Sequence, residues 1–191
     1  AIMLFRKGFY QLISGHTGTG YQTIYPVQFI NEWPELALFG IICAMGLGGA
    51  VCSTTGAIKM LRVGIIFKAL LEDIKRIILP ERAIVLQKFH HIKEIFLEDK
   101  QARAALLITL CYLALYALGA LMGMFFGYPF LDSLFESTSA AANVGLSCGI
   151  TKVGMPSALK LTYIFQMWAG RLEFMSVFTL IGFFVAAIRG K

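Results

Sequence analysis

Two glycines of this chain, Gly20 and Gly145, stand in matching surroundings that suit the coordination of a cation. Each glycine follows a serine at the same spacing, Ser14 in the first stretch and Ser139 in the second (20 − 14 and 145 − 139). A cation that sheds its water needs backbone carbonyl oxygens aimed at it, and glycine permits the backbone angles and the close approach that such a site requires. The pattern predicts an ion path, whereas the simpler alternative is a pair of glycines at helix-packing contacts.

Hydroxyl side chains beside the two glycines offer further oxygen ligands. They belong to Thr17, Thr19 and Ser147. His16 falls in the first stretch as well, where a place at the outer entrance and a simple packing role fit it equally. We therefore expect ion contacts at main-chain carbonyls, with hydroxyl oxygens next to them.

The segments that flank each stretch indicate how it lies in the protein. An apolar and aromatic run precedes each stretch, and a long hydrophobic segment follows it. This order is typical of a re-entrant pore loop, in which a half-helix and an extended strand come before a spanning helix. Irregular backbone at membrane depth must be covered by protein or line a water-filled cavity. We predict half-helices at residues 9–14 and 131–138 and extended strands at residues 16–21 and 142–147.

The composition is that of an integral membrane protein. Hydrophobic residues make up 58% of the chain and charged residues 15%, against about half and about a quarter in soluble domains. Apolar segments at residues 34–51, 102–126 and 158–188 are close to or above the roughly 20 residues that a spanning helix needs. The chain shows no signal peptide and does not begin with methionine, so we expect it to be a piece of a longer protein.

Positive charge is concentrated in one connecting segment. The net charge is +6, and ten lysines and arginines lie between Lys59 and Arg103. Because cytoplasmic segments carry an excess of such residues, we place this segment and the C-terminus on the cytoplasmic side of the cell membrane. Residues 76–101 are predicted to form a charged amphipathic helix with a turn. Contact with the lipid bilayer explains the charge, and we expect no nucleic-acid partner.

A run of small residues interrupts the apolar segment that begins at residue 34. Residues 46–56 contain four glycines and three hydroxyl side chains, a poor composition for the interior of a helix. The run therefore predicts a broken spanning segment whose flexible middle lies inside the membrane.

One charge stands in the middle of the last apolar segment. Arg171 lies at a depth where a charge is costly and normally lines a cavity or finds a partner. We expect either a positive charge below the extended strands or an ion pair with Glu173 or another acid.

Three residues of the connector have a superficial likeness to metal ligands. His90, His91 and Glu94 lack the HExxH order, so a solvated face is favoured over a metal-dependent membrane enzyme. The four cysteines stand singly, without a CxxC pair. We therefore expect neither enzyme activity nor a cofactor in this chain.

Four motifs in chain order resemble the TrkH/KtrB/HKT superfamily of potassium transporters, most closely its bacterial and archaeal TrkH/KtrB branch. They occupy residues 13–23, 48–62, 139–151 and 170–173. The resemblance covers nearly the whole chain. It implies an all-α membrane fold in which four M1–pore-loop–M2 repeats, with re-entrant pore helices, surround one pore.

The resemblance also divides the chain. Residues 1–79 would hold the pore loop and the broken M2 helix of the third repeat. Residues 80–101 would form the cytoplasmic connector, and residues 102–191 the complete fourth repeat.

The family's motifs assign roles to individual residues. The selectivity filter would comprise Thr17, Gly18, Thr19, Gly20, Tyr21, Asn143, Val144, Gly145 and Leu146, with K⁺ held at Thr19, Gly20, Val144 and Gly145. The intramembrane gating loop would comprise Gly46, Gly48, Gly49, Ser53, Thr54, Thr55 and Gly56, faced by Arg171. Gly18 stands where a threonine is common in the family.

The function that the resemblance implies is potassium uptake through a channel-like pore in a multi-pass membrane protein. The family further implies a homodimer and a cytoplasmic nucleotide-binding regulatory subunit of the TrkA/KtrA type. Two alternatives stay open. One is a sodium-coupled symport or weakly selective cation path, and the other is a truncated fragment that is inert without the missing repeats.

Overall fold

A computed structural model describes residues 2–50, 53, 55–79, 88–91, 93–96 and 99–190 of the protein. Within them lie seven α-helices and one β-hairpin. The helices are α1 (Ile2–Thr17), α2 (Pro26–Glu32), α3 (Glu35–Gly46), α4 (Met60–Ile78), α5 (Asp99–Phe125), α6 (Phe130–Ala141) and α7 (Ser157–Ile188). The hairpin consists of β1 (Lys88–His91) and β2 (Lys93–Phe96). Thr54, one of the predicted gating residues, lies outside the described residues, as do residues 80–87 of the connector.

Both predicted half-helices are present and both are longer than expected. α1 covers Ile2–Thr17, whereas residues 9–14 were predicted. The helix starts earlier because no proline or glycine pair interrupts residues 2–8. α1 ends where Gly18 adopts a φ angle of 70° and donates its N–H to the Gly15 carbonyl (3.3 Å). Such a left-handed glycine is a common helix terminator.

An interruption separates α3 from α4, as the glycine-rich run at residues 46–56 predicts. α3 covers 12 residues and ends at Gly46, which is too short to cross a membrane as one helix. Helical structure resumes only at Met60, the first residue of α4. The described residues between them, 47–50, 53 and 55–59, are irregular.

Two helices of the described residues, α5 and α7, are long and apolar enough to cross a membrane by length and composition. α5 has 27 residues and α7 has 32. Their outer faces carry large exposed side chains such as Leu121 (64% exposed) and Phe183 (69% exposed). Exposed apolar surface of this kind is suited to lipid or to a further protein surface.

The connector differs from its prediction. β1 and β2 pair antiparallel with His90 opposite Glu94, so the helix predicted over residues 76–101 is wrong for these two segments. Aromatic and β-branched residues such as Phe89 and Ile95, which are also opposite each other, favour extended backbone over helix. The charge pattern alone did not reveal this preference.

α6 occupies the centre of the fold although it is rich in polar residues. Every residue from Ser133 to Ala141 except Leu134 is buried, and α5 packs closely against this helix. Cβ atoms on two glycines of α5 would clash there, Gly119 with the Ser137 hydroxyl and Gly123 with the Ser133 side chain. The close packing of α5 and α6 therefore rests on small residues.

Candidate ion-binding site

The two segments predicted as extended strands are irregular rather than β-strands, and residues 16–17 of the first belong to α1. We keep the names first and second strand for residues 18–21 and 142–147, which have the same backbone conformation at equivalent positions. Gly18 and Gly20 have φ angles of 70° and 75°, and Asn143 and Gly145 have φ angles of 56° and 94°. Each residue of the second strand lies 125 positions after its counterpart in the first (143 − 18 and 145 − 20). Asparagine is one of the few residues other than glycine that adopt this left-handed conformation readily. Gly18 thus has the same backbone geometry as its counterpart Asn143.

The serine of each motif ties the strand to the helix before it. Ser14 Oγ donates to the Tyr21 carbonyl (2.7 Å), and Ser139 Oγ donates to the Leu146 carbonyl (2.6 Å). The carbonyls of the two serines also accept an N–H from their strands, at 3.1 Å and 3.0 Å. These matched bonds give a physical reason for the constant spacing between serine and glycine, because the serine fixes the path of the strand around the glycine.

The two strands also contact each other. A Cβ on Gly20 would clash with the Val144 carbonyl oxygen, so only glycine fits there. The Gln22 side-chain amide donates to the Ser147 carbonyl (2.8 Å), and the Ser147 N–H donates to Gln22 Oε1 (3.4 Å). By contrast, a Cβ on Gly145 would meet no atom within 4 Å. The backbones therefore lie side by side, with the Val144 carbonyl between them.

The predicted hydroxyl ligands are oriented by bonds within the protein. Thr17 Oγ1 donates to the Ile13 carbonyl (2.8 Å), and because this uses its one proton, Thr19 donates to Thr17 Oγ1 (2.8 Å). Ser147 Oγ donates to Glu136 (2.5 Å). Each oxygen keeps acceptor lone pairs, which are the groups that a cation needs.

The other predicted strand residues differ in exposure. Tyr21 is 69% exposed, whereas Val144 and Leu146 are buried. Asn143 is half-buried and its side-chain amide donates to the Ala141 carbonyl (3.5 Å). The first strand is thus the more open of the two.

The chain between α3 and α4 lies against the ends of both half-helices. Thr55 Oγ1 donates to the Thr17 carbonyl (3.1 Å), and the Gly56 N–H donates to the Ala142 carbonyl (2.9 Å). We call residues 47–59 the interhelix loop. Its contacts place the predicted gating residue Thr55 beside the start of the first strand and Gly56 beside the start of the second.

Glycines allow this close approach. A Cβ on Gly48 would lie 2.6 Å from the His16 carbonyl oxygen, and one on Gly56 would lie 2.6 Å from the Gly170 carbonyl oxygen. Gly49 has a φ angle of 85°. Most larger residues at Gly48 and Gly56 would push the interhelix loop away from α1 and α7.

An acid of α7 connects that helix to the end of the interhelix loop. Glu173 forms salt bridges with Lys59 and with Arg62, the latter at 2.5 Å. Glu173 itself has non-helical angles (φ 59°, ψ 149°) and marks a kink in α7. The side chain of Arg171, which was predicted to face the loop, is exposed. The ion pairs of α7 with Lys59 and Arg62 are made by Glu173.

Sequence reasoning missed a second acid, Glu136, which is only 4% exposed and accepts hydrogen bonds from the segment after the second strand. The sequence did contain a signal. Another polar residue with a side-chain oxygen, Gln11, stands at the equivalent position of the first stretch (136 − 11 = 125). Burial raises the pKa of the Asp132 carboxyl, and the charge of Glu136 raises it further. The two acids therefore lie close enough to interact, and the ionised form of Asp132 is disfavoured.

The described residues contain no group of three or more histidine, cysteine, aspartate or glutamate side chains placed to hold a metal ion. His90, His91 and Glu94 belong to the hairpin rather than to a helix. The geometry thus gives no support to a metal-dependent enzyme in this part of the chain.

Comparison with known proteins gives a match to one family model over residues 3–184, described as TrkH, cation transport protein. The chain is 34% identical over 171 residues to an uncharacterized cation transporter of Methanocaldococcus jannaschii, a match that covers 90% of this chain and 35% of that protein.

Trk system potassium uptake proteins TrkH are similar to the chain as well. Identity is 24% over 187 residues with the protein of Escherichia coli K12, covering 96% of this chain and 36% of that protein. With the protein of Halomonas elongata it is 25% over 189 residues, covering 97% and 37%. The chain spans about a third of the length of these relatives.

Proposed function

Because this chain belongs to the TrkH family of cation transport proteins, we propose that it forms part of a potassium-conducting pore in the cell membrane. The two strands supply main-chain carbonyl ligands at Thr19, Gly20, Val144 and Gly145. One observation carries the proposal: two strands with the same left-handed residues lie side by side, with a backbone carbonyl between them.

Carbonyl rings of this type replace the hydration shell of a cation. The chain offers two such strands, and the remaining repeats of the full-length protein would supply the others. The printed function of the TrkH relatives, potassium uptake, supports K⁺ as the ion. Preference for sodium, or a weak preference among cations, is the competing outcome.

In this proposal the interhelix loop is the gate. It touches the base of both strands through Thr55 and Gly56, so its displacement opens the path beneath them. The gating residues are Gly46, Gly48, Gly49, Ser53, Thr54, Thr55 and Gly56, with Arg171 as a positive charge on the cytoplasmic side of the filter. A homodimer and a cytoplasmic nucleotide-binding subunit of the TrkA/KtrA type complete the proposed assembly. The family is one of transporters rather than enzymes.

The test is uptake of Rb⁺, in the presence of Na⁺, by cells that lack their own potassium uptake and express the full-length protein. We compare the wild type with Gly145→Ser. A side chain at this left-handed position strains the strand by about 1–2 kcal/mol, so we expect the preference for Rb⁺ over Na⁺ to fall by about tenfold.

Gly127→Ser is the matched control. Gly127 also has a positive φ angle (85°) and open space around a built Cβ, but it lies in the turn after α5. Its variant should keep the wild-type preference. If Gly145→Ser also keeps it, Gly145 is a packing residue and the filter assignment is wrong. If the wild type admits Na⁺ and not Rb⁺, the potassium assignment is wrong.

A further inference from the structure

Glu136 is a buried acid of α6 for which the proposed ion path has no role. Its Oε1 atom accepts hydrogen bonds from four oxygen and nitrogen donors: the Ser147 hydroxyl (2.5 Å) and the N–H groups of Cys148 (3.1 Å), Ile150 (3.2 Å) and Thr151 (3.4 Å). The Cys148 thiol adds a weaker contact to the same atom (3.7 Å). Its Oε2 atom accepts one from the Thr151 hydroxyl (2.8 Å). One carboxyl group therefore holds the whole segment of residues 147–151.

The partners of Glu136 indicate its charge state. Three of the five bonds come from backbone N–H groups, which can only donate, and an ionised carboxylate can only accept. Bonds to an ionised acceptor are roughly twice as strong as neutral ones. The arrangement thus suits a carboxylate, which can accept a hydrogen bond from every one of these groups.

The segment that Glu136 holds is continuous with the second strand. The Ser147 hydroxyl donates to Glu136. The backbone of Ser147 forms two hydrogen bonds with the Gln22 side chain, where the two strands meet. Glu136, Val144 and Gly145 also line one cavity of about 250 Å³. The cavity gives the strand room to shift, and the bonds to Glu136 act together with those of Ser139 and Gln22 to hold its outer end in place.

The residue that anchors the first strand differs from Glu136 in charge and in the groups that it bonds. Gln11 occupies the equivalent position and is fully buried. Its side-chain amide donates a bond of 2.8 Å to the Thr23 hydroxyl. The first anchor is therefore neutral and reaches one side chain, whereas the second is charged and reaches the backbone of the strand's extension.

We propose that Glu136 is a positioning residue for ion selection, whose carboxylate fixes the outer end of the second strand. The inference rests on the proposed function, since it concerns the selectivity of that same path. Glu136 touches no ion in this proposal and acts through Ser147 and the residues that follow it.

The test uses Glu136→Gln in the full-length protein and measures Rb⁺ uptake against Na⁺ uptake. Glutamine keeps the shape but replaces one acceptor oxygen by an NH₂ group and removes the charge. We expect normal amounts of protein in the membrane and a fall of about tenfold in the preference for Rb⁺.

Asp132→Asn is the matched control, because Asp132 lies one turn earlier on α6 and its variant removes a carboxylate charge near the same segment. Its preference should stay within about twofold of the wild type. An equal loss in both variants would show that the charge acts at a distance rather than through bonds, and would overturn the inference.

The outcomes separate the two proposals. A wild type that takes up no Rb⁺ contradicts the proposed function, whereas a transporting Glu136→Gln variant with unchanged preference contradicts only the role of Glu136. If Glu136→Gln does not accumulate, Thr151→Val and Ser147→Ala each remove one donor and leave the carboxylate in place. We expect a smaller loss of preference in each, and unchanged preference in both would overturn the inference.

Discussion

Thr17 and Ala142 stand at equivalent positions of the two stretches (142 − 17 = 125), and their carbonyls are bound by two consecutive residues of one loop. Thr55 reaches the first carbonyl through its hydroxyl, and Gly56 reaches the second through its N–H. The interhelix loop therefore cannot move away without releasing a carbonyl at the base of each strand. Gate and filter are coupled through these two bonds in the proposed mechanism.

Thr55→Val should make the gate easier to open. The variant keeps the shape of the side chain but removes the donor to the Thr17 carbonyl. A net hydrogen bond is worth about 0.5–1.5 kcal/mol, so the open population should rise by about two- to tenfold. The open probability of the full-length protein in lipid vesicles, without a regulatory subunit, measures this. Thr55→Ser retains the donor and should behave like the wild type, and equal opening in both variants would contradict the role of the bond.

Gly20→Ala should harm the protein more than Gly145→Ala. An added Cβ at Gly20 clashes with the Val144 carbonyl oxygen, whereas at Gly145 it meets no atom within 4 Å. Both variants carry the strain of a left-handed alanine, about 1–2 kcal/mol, and only the first also displaces backbone. Size-exclusion chromatography and the Tm of the purified protein compare them. A more stable Gly20→Ala variant would show that the strands are not in contact.

Arg62 and Glu173 should show energetic coupling across the fold. In a double-mutant cycle with Arg62→Gln and Glu173→Gln, we expect a coupling energy of about 0.5–3 kcal/mol in thermal stability, because the two groups are in contact. The pair Glu72 and Arg76 provides the comparison, since it lies within one helix turn of α4 and the Arg76 side chain is exposed, although Glu72 is buried. Its coupling should be about 0.3–0.5 kcal/mol. Additive effects at Arg62 and Glu173 would contradict the observed contact.

Gly170→Ala should destabilise the packing of α7 on α6. A Cβ there would clash with the Ala141 carbonyl oxygen, and overpacking of this kind costs about 1–3 kcal/mol. Gly182→Ala, on the same helix, meets no atom within 4 Å and should be neutral or slightly stabilising, since alanine favours helix over glycine. Thermal unfolding of both variants in detergent checks the difference. Equal Tm values would show that α7 does not approach α6 at Gly170.

Much of the fold could be predicted from the sequence where a single strong pattern decides the structure. The apolar runs gave α5 and α7, and the glycines of residues 46–56 gave the break between α3 and α4. The paired serines and glycines located two matching irregular segments whose local bonds are set by neighbours in the chain. In each case the deciding interaction lies within a few residues.

The parts that could not be predicted depend on distant contacts. The non-helical angles of Glu173 occur in a helix that its composition otherwise favours, at the residue that bonds to Lys59 and Arg62. Glu136 is one acid in a polar helix, and its role depends on five donors supplied by a later segment. The hairpin at residues 88–96 competes with a helix in a charged segment, where neither pattern is strong.

The ion pairs of Glu173 also fix an order of events during protein synthesis. Arg62 is made 111 residues before Glu173, which at about 5–20 residues per second corresponds to a delay of about 5–20 s. During this time Lys59, just before α4, and Arg62 in its first turn are cations whose shared acid does not yet exist. Water, lipid headgroups or the insertion machinery must solvate them, so the interhelix loop reaches its final place only after the ribosome has completed the first half of the last helix.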